Sequence, residues 1–451
     1  MGKKSTNKTK RKVEKKDSKL KLQKEKNKQI LERIEEYNQN GKRTIAIFCD
    51  AYYPAVDGVI KVFENQAMLL SRNNNVIVCV PKHKNELDDD RPYLVLGCGS
   101  IEIASVGYDY GLPAFDSFFN KAITKARIDV VHLHSPFTLG TFAVNLAKRK
   151  RIPCIGTFHS EYKKDFYKAT KNKAVSQLLT SIVVGVFNKC DMMLTMNPYA
   201  ANLLKEYGYK GDIEIIPNST GFKIVENIEK EKEDLRKEFG ITDEHVVFSF
   251  IGRLVIQNQI LFIADVLKRL KEKNLKFKMI FIGKGVDAAK LKKRVSDNGL
   301  LDDVIFTGSV TDDVQKSALL GISDLFVFPS TYDTDGIVKI EAACANVPTI
   351  CVKDTGTCSV ITDNVNGFIS ELDVEIFSDR VLEVIKDREN LRAVGVQACK
   401  DLYITWEEIV ERIEKVYDSE IEKRLIKKLN KQKKKLAKAK ERTEKKTKKV
   451  K

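Results

Sequence analysis

The residues best suited to chemistry lie in one run, Phe328-Pro-Ser330-Thr-Tyr-Asp333-Thr-Asp335-Gly336-Ile337-Val-Lys-Ile-Glu341-Ala. An apolar strand runs into a loop, and Gly336 opens a helix. The free N–H groups of a helix start favour an anionic phosphate. Glycine lets the backbone approach a ligand closely. Asp333 in the loop and Glu341 on the helix stand eight residues apart and can both face a cleft. There, carboxylates accept hydrogen bonds from the vicinal hydroxyls of a sugar or ribose. Taken alone, the run is equally a plain strand–loop–helix with an exposed Asp and a solvated Glu. Asp333-Thr-Asp335 also has an Asp-x-Asp spacing, which is frequent by chance and carries little weight.

Further candidates end other strands. Gly252-Arg253 closes one, where an arginine beside a crevice suits a pyrophosphate. Gly283-Lys284-Gly285 closes the next as a short glycine turn. Nearer the N-terminus, Pro54-Ala-Val-Asp57-Gly58 follows a strand, and a single glycine falls far short of a dinucleotide fingerprint, which argues against a nicotinamide cofactor. His132-Leu-His134-Ser-Pro136 and Thr157-Phe-His159 end two more strands, so three of the five histidines sit at strand ends. A metal would need a further ligand set that the spacing does not supply, and no metal is expected.

The elements that must hold these residues are short β-branched runs alternating with helical patterns. The expected strands are 44–49, 76–80, 128–133, 153–157, 192–196 and 213–216. The pattern then restarts with 246–251, 277–282, 304–306, 325–328 and 349–352. Near-continuous apolar strands separated by helices imply parallel sheets covered on both faces. Two doubly wound α/β domains follow, with the ligand cleft at the carboxyl ends of their strands. The expected division is a basic tail over 1–42, a first Rossmann-like domain over 43–222, a second over 223–402, a helix over 403–423 that could pack back on the body, and a basic tail over 424–451.

The chain has 451 residues and 43% hydrophobic side chains, enough for two such cores. Its net charge of +17 sits in the tails. Residues 1–30 carry thirteen Lys/Arg against three acids, and residues 424–451 carry fifteen against two. The body between them is mildly acidic, which argues against a nucleic-acid partner for the whole protein. The nine cysteines form no CxxC pair and lie largely in apolar runs, as buried thiols in a reducing cytosol would. No run reaches the ~18 apolar residues of a membrane span, and no apolar stretch follows the basic N-terminus as in a secretory signal. A cytoplasmic location is expected.

Taken together, these motifs resemble glycosyltransferase family 4, over roughly Thr44 to Tyr417. The family's Glu-x7-Glu signature aligns with Asp333 to Glu341, and its Gly-Arg-Leu with Gly252-Arg253-Leu254. His134-Ser-Pro-Phe and Thr157-Phe-His159 are similar to its acceptor-side motifs, and Ile216-Pro-Asn218 to its inter-domain turn. Asn366-Gly367-Phe368 and Trp406 also fall in the family order. The segment Asp50 to Gly58 looks most like that of lipid-glucosylating members. The resemblance implies a GT-B fold and a retaining, metal-independent transfer of a hexose from a nucleotide sugar such as UDP-glucose to a lipid such as diacylglycerol. No cofactor is implied.

By the same resemblance, Asp333 would hold the hexose, Arg253 the diphosphate, and His159 would lie near the sugar and the acceptor hydroxyl. Glu341 would hold the ribose. Gly336, Ile337, Gly252, Asn258 and Gly283 would line the donor site, and Gly58 and His134 the acceptor side. The chain departs from the family at Asn258, where a phosphate-binding lysine is usual, at Gln257, where an acid is usual, and at Asp333, one methylene short of Glu. Another glycan acceptor and a catalytically degenerate binding module both stay open as alternatives. The basic tails would attract an anionic membrane surface, placing the enzyme on the inner face. RNA or another polyanion is the rival ligand for them.

Overall fold

The computed structural model describes residues 3–53, 58–82, 91–103 and 108–450. The first unit is a seven-stranded parallel sheet, order β3-β2-β1-β6-β7-β8-β9. Its strands are β1 (Thr44–Phe48), β2 (Asn75–Pro81), β3 (Leu94–Cys98), β6 (Val130–Leu133), β7 (Cys154–Phe158), β8 (Met192–Thr195) and β9 (Ile213–Ile215). A small antiparallel hairpin, β4 (Ser100–Ile103) with β5 (Tyr108–Gly111), stands apart. The second unit is a six-stranded parallel sheet, order β12-β11-β10-β13-β14-β15. It comprises β10 (Val246–Ile251), β11 (Phe277–Ile282), β12 (Val304–Gly308), β13 (Leu325–Phe328), β14 (Thr349–Val352) and β15 (Phe368–Ser370).

Helices cover both faces: α1 (Lys3–Gln39), α2 (Gly58–Leu70), α3 (Ser117–Lys125), α4 (Thr138–Lys150), α5 (Tyr162–Thr170), α6 (Lys173–Phe187) and α7 (Pro198–Glu206) in the first unit. The second has α8 (Glu229–Glu238), α9 (Ile260–Glu272), α10 (Ala288–Asp297), α11 (Asp313–Gly321), α12 (Val338–Cys344), α13 (Val374–Val384) and α14 (Arg388–Leu402), before α15 (Trp406–Val450) closes the chain.

The doubly wound expectation holds in both units. β1 and β10, β2 and β14 are buried along their whole lengths, as parallel strands sandwiched between helix layers must be. In each sheet the order reverses beside its first strand, between β1 and β6 and between β10 and β13. Those reversal points open crevices at the strand carboxyl ends. Strands β3 and β15 escape the hydrophobic pattern because they are short edge strands with alternating or half-buried residues.

Both end segments are helical. Residues 3–39 form one helix, and its last turns dock: Ile34 and Tyr37 join the core of the first unit. The folded body therefore begins before the expected boundary at Arg43, because those two side chains cover the β3 side of the sheet next to α3. At the other end, Trp406, Ile409, Ile413, Val416 and Tyr417 pack against α2 and β1 of the first unit. The chain thus crosses back after completing the second sheet. The expected 403–423 helix does not stop there but continues as α15 to Val450.

Candidate functional site

Glycines set the floor of the site at the ends of β10 and β11. Gly252 and Gly283 have φ of 154° and 151°. A Cβ on Gly283 would stand 1.9 Å from the Gly252 carbonyl oxygen, and one on Gly285 2.2 Å from that of Leu254. The two loops lie backbone on backbone, which only glycine allows. The Arg253 side chain projects from this floor, exposed, with no hydrogen bond or ion pair of its own among the described residues. Its charge acts on Tyr332 and Asp333.

Asn258 does not extend the cationic surface. It is buried, and its side-chain N–H donates to the Arg253 carbonyl at 2.9 Å, bracing the turn that carries the arginine. Lys284 is exposed at the end of β11 and lies over Gly308. Gln259, which sequence reasoning passed over, caps α9 with φ of 58° and reaches Thr331 Oγ1 at 3.3 Å.

The loop after β13 presents Asp333. Its carboxylate accepts the Ser330 hydroxyl at 2.6 Å. Burial raises its pKa, and the Ser330 hydrogen bond and the Arg253 and Lys339 charges oppose that rise. Asp335 turns away. It pairs with Lys339 Nζ at 2.6 Å and accepts the Asn218 amide at 2.8 Å. The Asp-x-Asp run therefore does not converge on one point, and among the described residues no cluster of three His, Cys, Asp or Glu could hold a metal. Gly336, with φ of 71°, turns the chain into α12; a Cβ there would stand 2.8 Å from the Phe328 ring. The N–H groups of Gly336, Ile337 and Val338 precede the first backbone bonds of that helix.

Glu341, one turn into α12, is engaged from two sides. Lys316 Nζ lies 3.3 and 3.4 Å from its oxygens, and Thr220 Oγ1 lies 3.3 Å away. Lys316 also sits 4.8 Å over the Phe222 ring. Lys316 and Thr220 come from α11 and the inter-domain linker. No local spacing could have announced them.

The first unit supplies the facing wall. The His159 carbonyl accepts the Thr334 hydroxyl at 2.7 Å, and Lys164 donates to the Thr331 carbonyl at 3.3 Å. The Tyr332 hydroxyl donates to Asp165 of α5. Asn197 donates to the Thr334 carbonyl at 2.7 Å. The Asp333 loop, with the Arg253 charge on its carboxylate, is thus held directly against β7 at the His159 carbonyl and against α5. Sequence reasoning missed Asp165, Tyr332 and Asn197, which act only through this contact.

Behind His159 lies a buried imidazole chain. His134 Nδ1 is 3.0 Å from His159 Nε2, and the two rings stack at 5.2 Å. His132 bridges the Tyr417 hydroxyl and Thr157 Oγ1, each at 2.7 Å. Asp50, at the end of β1, accepts from Ser135, Thr138 and the N–H groups of Phe137 and Leu139, capping α4. Gly58 begins α2; Pro54–Asp57 lie outside the described residues.

Burial drives His132 down to about 3 and His134 well below its ordinary value. Both are neutral in the folded protein at neutral pH. Their folded pKa values lie below the unfolded ones, so below pH ~6.5 the unfolded chain binds more protons. Stability is then fully present above that pH and is lost as the pH falls, by about 1.4 kcal/mol per pH unit for each histidine. Urea unfolding between pH 7 and pH 5 is expected to show this slope, and His132→Asn is expected to remove about half of it. An unchanged slope in that variant would mean that His132 does not stay neutral.

Comparisons with known proteins match this architecture. The Glycosyltransferase Family 4 profile matches residues 56–220, and the Glycosyl transferases group 1 profile residues 231–401. Together they span about three quarters of the chain. The alpha-monoglucosyldiacylglycerol synthase of Acholeplasma laidlawii is 23% identical over 361 residues, 78% of this chain and 89% of that protein. The enzyme of the same name from Streptococcus pneumoniae is 23% identical, covering 72% of this chain and 74% of its own. Among solved structures, Anabaena HepE in complex with UDP superposes with a TM-score of 0.67 at 16% identity, covering 83% of this chain and 100% of HepE. Sucrose-phosphate synthase of Thermosynechococcus elongatus gives 0.64 at 16%, covering 84% and 99%. Two facing Rossmann-like units with family 4 and group 1 halves make this chain a member of the GT-B glycosyltransferases of that family, and an enzyme of glycosyl transfer.

Proposed function

We propose that the cleft transfers a hexose from a nucleotide sugar, UDP-glucose, to a membrane lipid such as diacylglycerol, with retention at the anomeric carbon. The observation that carries the reading is the junction of Arg253, exposed and without a side-chain hydrogen bond among the described residues, with the half-buried Asp333, on a loop bonded to the His159 carbonyl. Arg253 holds the diphosphate and stabilises the charge that grows on it as the bond to the sugar breaks. The N–H groups of Gly336 and Ile337 face the same charge, and Gly252 and Gly283 admit the donor close to the backbone. Asp333 takes the hexose hydroxyls. Glu341, oriented by Lys316 and Thr220, takes the ribose. His159 lies by the sugar and the attacking hydroxyl, with His134 and Gly58 on the acceptor side. Fixed cations and backbone dipoles serve this reaction without a metal.

The donor assignment draws support from HepE, which was solved with UDP and with UDP-glucose. The lipid acceptor draws support from the two diacylglycerol-named relatives and from one surface. Beside the Asp333 loop, α5 and α6 expose Tyr167, Val175, Leu178 and Ile182 among Lys163, Lys168, Lys171 and Lys173. Apolar side chains ringed by lysines suit an anionic bilayer. No helix among the described residues is long and apolar enough to cross a membrane. On this reading the enzyme works as a peripheral protein on the inner face.

One observation favours a second reading. Asn258 turns its amide to the Arg253 carbonyl and leaves Arg253 as the cation of this turn, as in a binding module that has lost turnover. Transfer of labelled glucose from UDP-glucose to diacylglycerol in anionic vesicles separates the two. The expected result is labelled glycolipid with the wild type and none with Glu341→Ala. Product only from Asn258→Lys would establish the degenerate module. No product from either protein across a panel of nucleotide sugars would sink the transfer reading.

A further inference from the structure

We propose that the distal half of α15 is an interfacial helix that binds an anionic lipid surface independently of the catalytic cleft. The inference deepens the membrane reading of the acceptor given above and rests on it for its biological sense, but not for its physical test.

The helix has two unlike halves. Up to Tyr417 its apolar face is buried in the first unit. From Leu425 to Lys438 every side chain is exposed. Leu425, Leu429 and Leu436 are 54%, 54% and 64% exposed. At ~100° per residue these three fall within roughly 40° of one another, along a single line of the helix. Around the line stand Lys427, Lys428, Lys431, Lys433, Lys434, Lys435 and Lys438, all exposed. Residues 424–451 hold fifteen basic side chains and two acidic ones. At 1.5 Å per residue the segment is about 40 Å long. The family matches end at residue 401, before the segment begins.

Charge and leucines together select the occupant. A solvated helix gains nothing from leucines in one line. A second copy of the segment would bring a second large positive charge alongside the first, and like charges along facing helices repel. A nucleic acid would satisfy the lysines through its phosphates and leave the leucines in water. An anionic bilayer satisfies both. The leucines enter the boundary between headgroups and acyl chains, and the lysine stems reach back to the phosphates. Each cation near such a surface contributes about 1 kcal/mol.

The position of the segment fits this role. Arg424 donates to both Asp191 oxygens, at 2.5 and 2.6 Å. Asp191 follows α6 by four residues, and α6 carries the exposed Val175, Leu178 and Ile182. The basic helix therefore leaves the body at the end of the helix proposed to meet the membrane. Two attachment elements on one rigid body bind far more tightly than either alone.

The test uses the full chain and vesicles of neutral phosphatidylcholine, with or without about one third phosphatidylglycerol, read by co-sedimentation. The wild type is expected to partition onto anionic vesicles only. A variant with Leu425→Ser, Leu429→Ser and Leu436→Ser keeps every charge, and its partitioning is expected to fall at least about tenfold while binding of polyuridylate stays unchanged. A variant with Lys431→Gln, Lys434→Gln, Lys435→Gln and Lys438→Gln keeps the leucines and is expected to fall comparably. Equal vesicle binding by the leucine variant and the wild type would overturn the inference, as would a lipid-free dimer that the leucine variant abolishes, or polyuridylate binding that falls with the leucines. Transfer to diacylglycerol in detergent micelles is assayed in parallel and should be the same in all three proteins. Its absence throughout, with leucine-dependent vesicle binding intact, would sink the diacylglycerol-transfer reading and leave this one standing.

Discussion

Arg253→Ala is expected to lower turnover by about two to three orders of magnitude, the cost of removing one preorganised stabiliser of a developing anion. The size follows from its surroundings. The guanidinium makes no hydrogen bond among the described residues, so its donors are open to a ligand. The Gly252–Gly283 contact fixes the backbone beneath it, and the Asn258 amide holds its carbonyl. Little reorganisation is then needed as charge builds on the departing phosphate. Because the side chain is exposed and unbonded, the melting temperature should stay within about 1 °C. Arg253→Lys should recover only part of the rate, since an ammonium replaces a bidentate fork with a point charge. Single-turnover kinetics on both variants, with melting curves alongside, checks this. A loss smaller than about fivefold would show that the arginine is not the principal stabiliser of the leaving group.

Lys339→Met is expected to destabilise the protein by about 3–5 kcal/mol, because it leaves the Asp335 carboxylate buried without its cation. Lys339 is 1% exposed and Asp335 7%. Their pair also receives the Asn218 amide from the first unit, so the loss falls at the junction between the two units. The double variant Asp335→Leu/Lys339→Met removes both charges together. It should regain most of the loss, less about 1–3 kcal/mol for the Asn218 amide left unsatisfied. Urea midpoints of the wild type, both single variants and the double variant complete the cycle. If Lys339→Met costs under about 1 kcal/mol, the carboxylate takes up a proton or a water at no great penalty, and the pair is not a structural fastening.

Much of this protein was legible along the chain. The alternation of short apolar strands with helices, restarting at residue 246, determined two doubly wound units, because burial on both faces leaves a continuous hydrophobic run. Gly252 and Gly283 were visible as strand-end glycines and Gly336 as the opening of a helix, with Arg253, Asp333 and Glu341 near them in sequence and His159 at the end of another strand. Such signals are local: a periodicity, a turn requirement, a strand end. Other features depended on residues far apart in the chain. Asp333 and Asp335 look equivalent in the sequence, yet one faces Arg253 and the other is paired to Lys339 and Asn218. Asn258 aligns with a phosphate-binding position, yet its amide closes a turn. Lys316 reaches Glu341 only because α11 lies against α12 and the linker, and Asp165 meets Tyr332 only because the two units close on each other. The docking of Ile34 and Tyr37 likewise followed from an uncovered face of the first sheet, in a segment whose composition reads as a solvated tail. The sequence by itself determined the fold and the residue types at the cleft. Tertiary structure alone decided which charges meet, since Coulomb and hydrogen-bond partners are chosen by distance in space, and that distance is set by how layers pack.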